Sequence, residues 1–180
     1  MKNEEKLAYF LNEAKTIKPR ELGKKIRIAF LASSTISGFE ETIRVKCFQK
    51  GIDCITYVAD YNQYNQEILN QDSELYKFKP DITFLILDTR HILGEHFFSS
   101  YSIARNDRKE IADTKHKEIQ NVCSVFKKNS DSKLVVTSLQ IPNYSPYGIS
   151  EGEEYGLKDI VYKINDKLFN EFQIFTTRVI

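Results

Sequence analysis

The sequence lacks both an excess of charge and a long apolar segment. Its 180 residues include 26 basic and 25 acidic side chains, for a formal net charge of +1. Without a basic block, we expect no binding to nucleic acid or to a membrane surface. No apolar run approaches the roughly 18 residues of a membrane-spanning helix, and the amino terminus carries acidic residues where a secretory signal has an apolar core. The prediction is a cytoplasmic protein.

Cysteine and histidine are scarce, with three of each. The cysteines are Cys47, Cys54 and Cys123, and the histidines are His91, His96 and His116. Neither set has the close, paired spacing typical of metal ligands. We therefore expect the cysteines to be small core residues and the histidines to lie on the surface or on helices. No metal and no other cofactor is predicted.

The chain does contain enough apolar material for one core, with 41% hydrophobic and 12% aromatic residues. This amount favours a single domain. Strands are predicted at 26–32, 52–59, 81–87 and 133–139, and helices at 38–50, 107–128 and 155–171. Alternating strands and helices predict an α/β fold, with a mostly parallel sheet between two helical layers. The last residues, 173–180, are predicted to begin a fifth strand.

An additional amphipathic helix precedes the first strand. Leu7, Phe10 and Ala14 recur at helical spacing, and Pro19 ends the pattern. We therefore divide the chain into an amino-terminal helix and linker at residues 1–20 and an α/β unit at 21–180, within a single domain overall.

The most informative segment is the end of the first strand, where an apolar run is followed by hydroxyl side chains. Ser33 and Ser34 come first, and Ser37 with Glu40 has the spacing of a helix capping box. Hydroxyls at the carboxyl end of a buried strand face the crevice in which open α/β sheets bind ligands. The alternative is that they only satisfy free amides at the start of the following helix.

The ends of the next three strands are also polar, and the fourth strand ends in SLQIPNYSPYG. Asn62 and Gln63 follow the second strand, where their carboxamides could bind an oxyanion or a partner's amide, or belong to a loop that leads into a short helix. Asp88 and Arg90 follow the third strand. Arg90 is suited to a phosphate or a carboxylate, or else pairs with Asp88 or Glu67. Because parallel strands end at one edge of a sheet, these groups are expected to line one crevice.

Three segments together resemble a known family. They are SSTISGFEETIRVKC (33–47), YNQYNQEILNQDSELYKFKPDITFLILDTRHIL (61–93) and IPNYSPYG (141–148). They are similar to the amino-terminal part of FkbH-like proteins, which usually continue into a phosphatase domain of HAD-superfamily subfamily IIIC. The resemblance extends over essentially the whole chain. It implies a three-layer, SGNH-hydrolase-like fold related to flavodoxin.

The resemblance also implies a function. In polyketide pathways, the full proteins are associated with loading a glyceryl unit from a phosphorylated glycerate onto an acyl carrier protein. The HAD loop Asp-x-Asp-x-Thr/Val, which supplies the phosphatase nucleophile, has no counterpart in these 180 residues. The implied partners are an acyl carrier protein or its phosphopantetheine arm, and a separate HAD phosphatase domain.

Transferred residue by residue, the SGNH pattern is incomplete. Its Gly-Asp-Ser motif corresponds to Ala32, Ser33 and Ser34, which makes Ser34 the nominal nucleophile. Its Gly-x-Asn-Asp motif falls on residues 88–91 and places Arg90 where an oxyanion-binding asparagine is usual. The glycine that follows the second strand has no clear match, although Asn62 and Gln63 lie near its place. The usual Asp-x-x-His base has no match, because no histidine follows His116.

Two functions remain open at this point. In the first, the chain is a binding module that positions an acyl group on a carrier arm. In the second, it is a serine acyltransferase or esterase, in which Ser34 reacts and the base comes from another domain, a partner chain, or His91 or His96. The substrate-binding residues predicted for either function are Ser33, Asn62, Gln63, Asp88 and Arg90. A third reading is a truncated product without independent function.

Overall fold

The computed structural model describes residues 6–18, 23–98, 103–143, 145, 148, 151 and 155–172. The described residues form four strands, which are β1 (Lys25–Ala32), β2 (Asp53–Val58), β3 (Ile82–Ile86) and β4 (Lys133–Val136). They build one parallel sheet in the order β2-β1-β3-β4. Over these strands, this is the order of flavodoxin-like folds. The predicted α/β class with a parallel sheet is therefore confirmed.

Helices precede, connect and follow these strands. Their bounds are α1 Leu7–Thr16, α2 Phe39–Gln49, α3 Tyr64–Leu69, α4 Glu74–Phe78, α5 Thr89–Leu93, α6 Glu95–Phe98, α7 Arg105–Asn129 and α8 Leu157–Phe172. The long helices were predicted to within about two residues at each end. The fifth strand predicted at 173–180 lies outside the described residues. Within the described ranges, no helix has both the length and the apolar character needed to cross a membrane.

The start of α2 differs from the prediction. Gly38 is the N-cap residue, with φ of 84°, and no side chain caps the helix. The predicted capping box of Ser37 and Glu40 is therefore wrong. Because the helix begins at Phe39, Glu40 is its second residue, one position short of the place that a capping box requires. The Glu40 carboxylate instead accepts a hydrogen bond from the Thr56 hydroxyl of β2.

The sheet is covered on both faces. On one face, Leu31 and Leu85 belong to a large core that also contains Ile119 and Phe126 of α7 and Val161 of α8. Side chains of consecutive strand residues point to opposite faces of the sheet. The strand residues that alternate with those of this core therefore face α2. The helices on the two faces and the sheet between them form three layers.

The second face is held by aromatic rings and a small helix pair. Phe30 of β1 stacks on Phe84 of β3, with ring centroids 5.4 Å apart, and Phe39 of α2 meets Phe30 edge-on at 5.6 Å. Outside these rings, α1 packs on α2 through Phe10 and Val45. The amphipathic amino-terminal helix predicted from the sequence is thus a part of this layer.

Candidate functional site

Ser33 joins the ends of the two central strands. Its backbone N–H donates to the Ile86 carbonyl at 3.0 Å, and its Oγ accepts a hydrogen bond from the Asp88 backbone N–H at 2.7 Å. The residue is only 1% exposed. In this strand order, β1 and β3 meet at the topological switch point, where open α/β sheets bind ligands. Ser33 therefore holds the two strand ends together and is too buried to contact a ligand.

Asp88 is the N-cap of α5. Its Oδ1 accepts hydrogen bonds from the backbone N–H groups of Arg90, at 3.0 Å, and His91, at 3.2 Å. The carboxylate thus stabilises the positive end of a helix, and it binds the backbone of Arg90 and not its guanidinium. Glu67, the other partner considered for Arg90, accepts a hydrogen bond from the Leu75 N–H at 2.9 Å.

Ser34 lies in a cavity of about 260 Å³ between the end of β1, the start of α2 and the loop after β2. We call this the hydroxyl cavity. Its polar lining consists of Ser34, Thr35, Ser37, Glu40, Glu41 and Tyr61. Within the described part of the chain, the hydroxyls of Ser34, Thr35 and Ser37 have no hydrogen-bond partner. Among the described lining residues no side chain is cationic and two are carboxylates, so the cavity disfavours an anion and can bind a ligand that donates hydrogen bonds.

No histidine lines the hydroxyl cavity. The nearest connection runs through Tyr61, which lines the cavity and meets the ring of His91 edge-on, with centroids 6.4 Å apart. His96 lies on the following short helix, α6. Of the two histidines considered as substitute bases, His91 is therefore the one in contact with the cavity wall.

Arg90 lies in a second, smaller cavity of about 140 Å³, which we call the arginine cavity. Its guanidinium lies 5.9 Å from the centre of the Phe97 ring. Asp88 also lines this cavity, and Gln140 and Asn143 from the segment after β4 complete it. The Thr89 hydroxyl donates to the Gln140 carbonyl at 2.6 Å and holds the two walls together. Within the described ranges, no carboxylate pairs with the exposed Arg90 guanidinium. It can therefore bind an anion.

Comparison with known proteins identifies the family. The sequence profile described as "FkbH, N-terminal domain" matches residues 27–140, which is more than half of the chain. The chain belongs to the FkbH N-terminal domain family. No curated protein matches its sequence significantly.

Two solved structures resemble this FkbH N-terminal domain. The first is the N-terminal part of the protein BF1531 from Bacteroides fragilis, which contains a phosphatase domain and was crystallised with Mg. It has a TM-score of 0.72 and 18% identity, and the match covers 92% of this chain but 42% of that one. The second is the acetyl xylan esterase AlAXEase, with a TM-score of 0.45 and 16% identity, covering 83% of this chain and 75% of that one. The first likeness supports the fold.

Asn62 occupies a position that favours glycine. Its φ is 57°, in the left-handed region, and its N–H donates to the Ala32 carbonyl at 3.2 Å, next to the serine turn. Gln63 precedes α3, whose Tyr64 is buried, so the short helix considered in the sequence analysis does form. Asn62 and Gln63 line neither cavity.

The cysteines lie away from both cavities. Cys123 is buried in the core, whereas Cys47 and Cys54 are half-buried. Burial, and then the neighbouring Cys47, raise the pKa of Cys54 to about 12, and burial raises that of Cys123 to about 12. Both stay protonated at neutral pH and are poor nucleophiles. Among the described residues, no group of three or more His, Cys, Asp and Glu side chains could hold a metal ion.

Sequence reasoning missed part of the lining of both cavities. Glu41 and Tyr61 were not singled out for the hydroxyl cavity, nor Gln140 and Asn143 for the arginine cavity. The polar stretch after β4 was a usable signal, because a fourth strand ends at the same sheet edge. Glu41 gave no such signal, since acidic residues are common in the first turn of any helix.

Proposed function

We propose that this FkbH N-terminal domain binds and positions a glyceryl-type acyl group carried on the phosphopantetheine arm of an acyl carrier protein, in the cytoplasm. The observation that carries this proposal is a pair of cavities with different chemistry on either side of the Ser33–Asp88 hydrogen bond. Among its described lining residues, one offers hydroxyls and carboxylates without a cation. The other offers the exposed Arg90 guanidinium, beside an Asp88 carboxylate that accepts hydrogen bonds from backbone N–H groups.

The hydroxyl cavity is matched to the acyl group. A glyceryl thioester is uncharged and has two hydroxyls, which can donate to the carboxylate of Glu41 and accept from the free hydroxyls of Ser34 and Thr35. Free glycerate carries a carboxylate and would be repelled by Glu40 and Glu41. The cavity therefore favours the acyl group after it has been attached to the carrier.

The arginine cavity is matched to the anionic part of the arm. A phosphodiester presents two oxygens that a guanidinium can bind together, and charged hydrogen bonds of this kind are stronger than neutral ones. The face of Phe97 lies under the guanidinium of Arg90 and restricts its movement. Arg90 would therefore hold the arm while the hydroxyl cavity selects the acyl group.

A binding role accounts for the absence of a histidine base beside Ser34. A positioned base contributes roughly 100- to 10,000-fold to attack by a hydroxyl, and no histidine lines the hydroxyl cavity. Chemistry on the bound group would then be performed elsewhere, for example by a HAD phosphatase domain. The N-terminal part of BF1531 contains a phosphatase domain, and this chain corresponds to 42% of that structure.

The second candidate is a serine acyltransferase or esterase. It is favoured by the free Ser34 hydroxyl in the cavity and by the contact between Tyr61 and His91 on the cavity wall. The base would be His91 or His96, or would come from another domain or a partner chain. Ser34 Oγ would form an ester bond to the acyl carbon as the C–S bond of the thioester breaks. The base would take the hydroxyl proton and pass it to the departing thiolate, which leaves as the free thiol.

Calorimetric titration with a glyceryl-loaded carrier protein tests the binding role. Arg90→Gln should weaken binding about 10- to 100-fold, because charged hydrogen bonds contribute about 1.5–3 kcal/mol. Lys128→Gln, an exposed change at the far end of α7, is the matched control and should have no effect. Ser34→Ala should still bind. Failure of the wild-type chain to bind any loaded carrier would refute the proposal.

Mass spectrometry separates the two candidates. After incubation with short acyl thioesters, a binding module should carry no covalent adduct. An acyl mass on the peptide that contains Ser34, absent in the Ser34→Ala variant, would establish the enzyme instead.

A further inference from the structure

A third cavity, of about 420 Å³, lies between α3 and α7 on the sheet face opposite α2. We call it the aliphatic cleft. Leu85 and Leu87 form its floor, and Ile119, Val122 and Val125 of α7 form one wall. It shares no lining residue with the hydroxyl cavity or the arginine cavity.

The cleft exists because the two helices differ in length. α3 has six residues and α7 has 25, so α3 covers only part of the inner face of α7. Val122 and Val125 are left half-buried, and Leu69 at the end of α3 is 59% exposed. The floor itself is closed, because Leu85 is fully buried and Leu87 is 4% exposed. The apolar surface that a ligand can reach is therefore formed by Leu69, Val122 and Val125.

The rim of the cleft is polar but has no net charge. The carboxamides of Asn65 and Asn121 are exposed there, and Glu118 is paired with Lys115 at 2.9 Å. Burial raises the pKa of Tyr64, which therefore keeps its hydroxyl proton at neutral pH. These groups can bind amides and hydroxyls, whereas no unpaired cation is offered to an anionic head group.

The cleft is continuous in sequence with the turns that frame the proposed site. Tyr64 and Asn65 directly follow Gln63, and Leu87 directly precedes Asp88. Ile92, on α5, lies two residues after Arg90. The same two strand ends thus support the site on one side and the cleft on the other.

We propose that the aliphatic cleft is a separate site, which binds a neutral aliphatic chain that carries amide groups. Free pantetheine has this chemistry and is the probe for it. Its methyl and methylene groups would contact Leu69, Val122 and Val125, and its amides would pair with the carboxamides of Asn65 and Asn121. The cleft volume falls within the range of about 300–1,000 Å³ that is usual for small-molecule sites.

Because the chain contains no tryptophan, a single introduced tryptophan reports only on its own surroundings. The Leu69→Trp variant has its single tryptophan at the rim of the cleft, and its fluorescence should change saturably when pantetheine is added. The Tyr162→Trp variant, at a position of α8 that is 56% exposed, is the matched control and should not respond. Hexanoate, which has an apolar chain and an anionic head, should bind at least tenfold more weakly than pantetheine.

A second measurement does not depend on a reporter. In methyl-resolved NMR of the wild-type chain, pantetheine should shift the signals of Leu69, Val122 and Val125 and leave that of Val45 unchanged. Val122→Phe, which adds bulk to the cleft wall, should weaken pantetheine binding at least tenfold. The inference would be overturned if neither the fluorescence nor the NMR showed a saturable change. It would also be overturned if hexanoate bound as tightly as pantetheine.

The outcomes for the cleft and for the proposed function can be told apart. If the loaded carrier protein binds and Arg90→Gln weakens it, but pantetheine shifts no cleft methyl group, the cleft proposal is wrong and the proposed function stands. If pantetheine binds the cleft and no loaded carrier binds, the proposed function is wrong and the cleft remains a site for neutral aliphatic amides.

Discussion

The Asp88 backbone N–H donates a hydrogen bond of 2.7 Å to Ser33 Oγ, across 55 residues of sequence, and joins the ends of β1 and β3. Ser34, the next residue, points into the hydroxyl cavity. Neighbouring side chains at a strand end point in opposite directions, so the two serines have different roles. Ser33 is structural, and Ser34 is the one that a ligand can reach.

The first prediction compares the two serines. Ser33→Ala removes a buried acceptor and leaves the Asp88 N–H unpaired, so the free energy of unfolding should fall by about 1–3 kcal/mol. Ser34→Ala removes a hydroxyl with no partner in the described part of the chain, so it should change the free energy of unfolding by less than about 0.5 kcal/mol. Urea unfolding of both variants measures the difference. Equal losses would contradict the division of roles.

The second prediction concerns the attachment of α8. Asn165 accepts from the Leu139 N–H at 2.7 Å and donates to the Leu139 carbonyl at 2.9 Å. Asn165→Ala leaves both backbone groups without these partners. The midpoint of urea unfolding should therefore drop, and the free energy of unfolding should fall by about 1–3 kcal/mol. Asn170→Ala, an exposed change on the same helix, should be nearly neutral. A neutral Asn165→Ala would show that water replaces both bonds.

The third prediction concerns Gly38, where α1 approaches the start of α2. Its φ is 84°, and a Cβ there would collide with the Leu7 side chain. Gly51 has φ of 74° with nothing within 4 Å, so Gly51→Ala reports the conformational cost alone, about 1–2 kcal/mol. Gly38→Ala should lower the stability measured by thermal unfolding more than Gly51→Ala does. Adding Leu7→Ala to the Gly38→Ala variant should remove this difference. If the two glycine variants are equal, Leu7 simply moves aside.

The fourth prediction is a pH dependence caused by Cys123. Its pKa is raised from 9.0 to about 12 by burial, so the unfolded chain releases this proton at lower pH than the native protein. The contribution of Cys123 to the free energy of unfolding is fully present below pH 9. It is lost as pH rises from 9 toward 12, by up to about 1.4 kcal/mol per pH unit. Urea unfolding across pH 8–10 should show a flatter decline for Cys123→Ala. Ser124→Ala, its exposed neighbour, should keep the wild-type slope.

Most of the fold could be predicted because its signals are local. The apolar run at 26–32 predicted a strand buried on both faces, and β1 is that strand. The helices predicted at 107–128 and 155–171 correspond to α7 and α8, which cover the sheet. The capping box at Ser37 failed because the glycine after it, Gly38, adopts the left-handed conformation and starts the helix one residue later.

Less of the candidate site could be predicted. The sequence placed polar groups at each strand end, but one crevice was expected where two separate cavities are found. Arg90 was considered as a partner of Asp88 or Glu67, yet both carboxylates bind backbone N–H groups. Side-chain pairing depends on distances that residue types alone do not contain. The aliphatic cleft had no sequence signal, because it results from the unequal lengths of α3 and α7.

The sequence by itself determined the order of strands and helices, the residues of the core and the presence of polar groups at the strand ends, since hydrophobic periodicity and turn chemistry act over a few residues. The tertiary structure alone decided that Ser33 is buried under Asp88, that Ser34 and Arg90 line different cavities and that a cleft opens beside α7. These features depend on contacts between segments far apart in the chain, whose geometry is set by the packing of the whole domain.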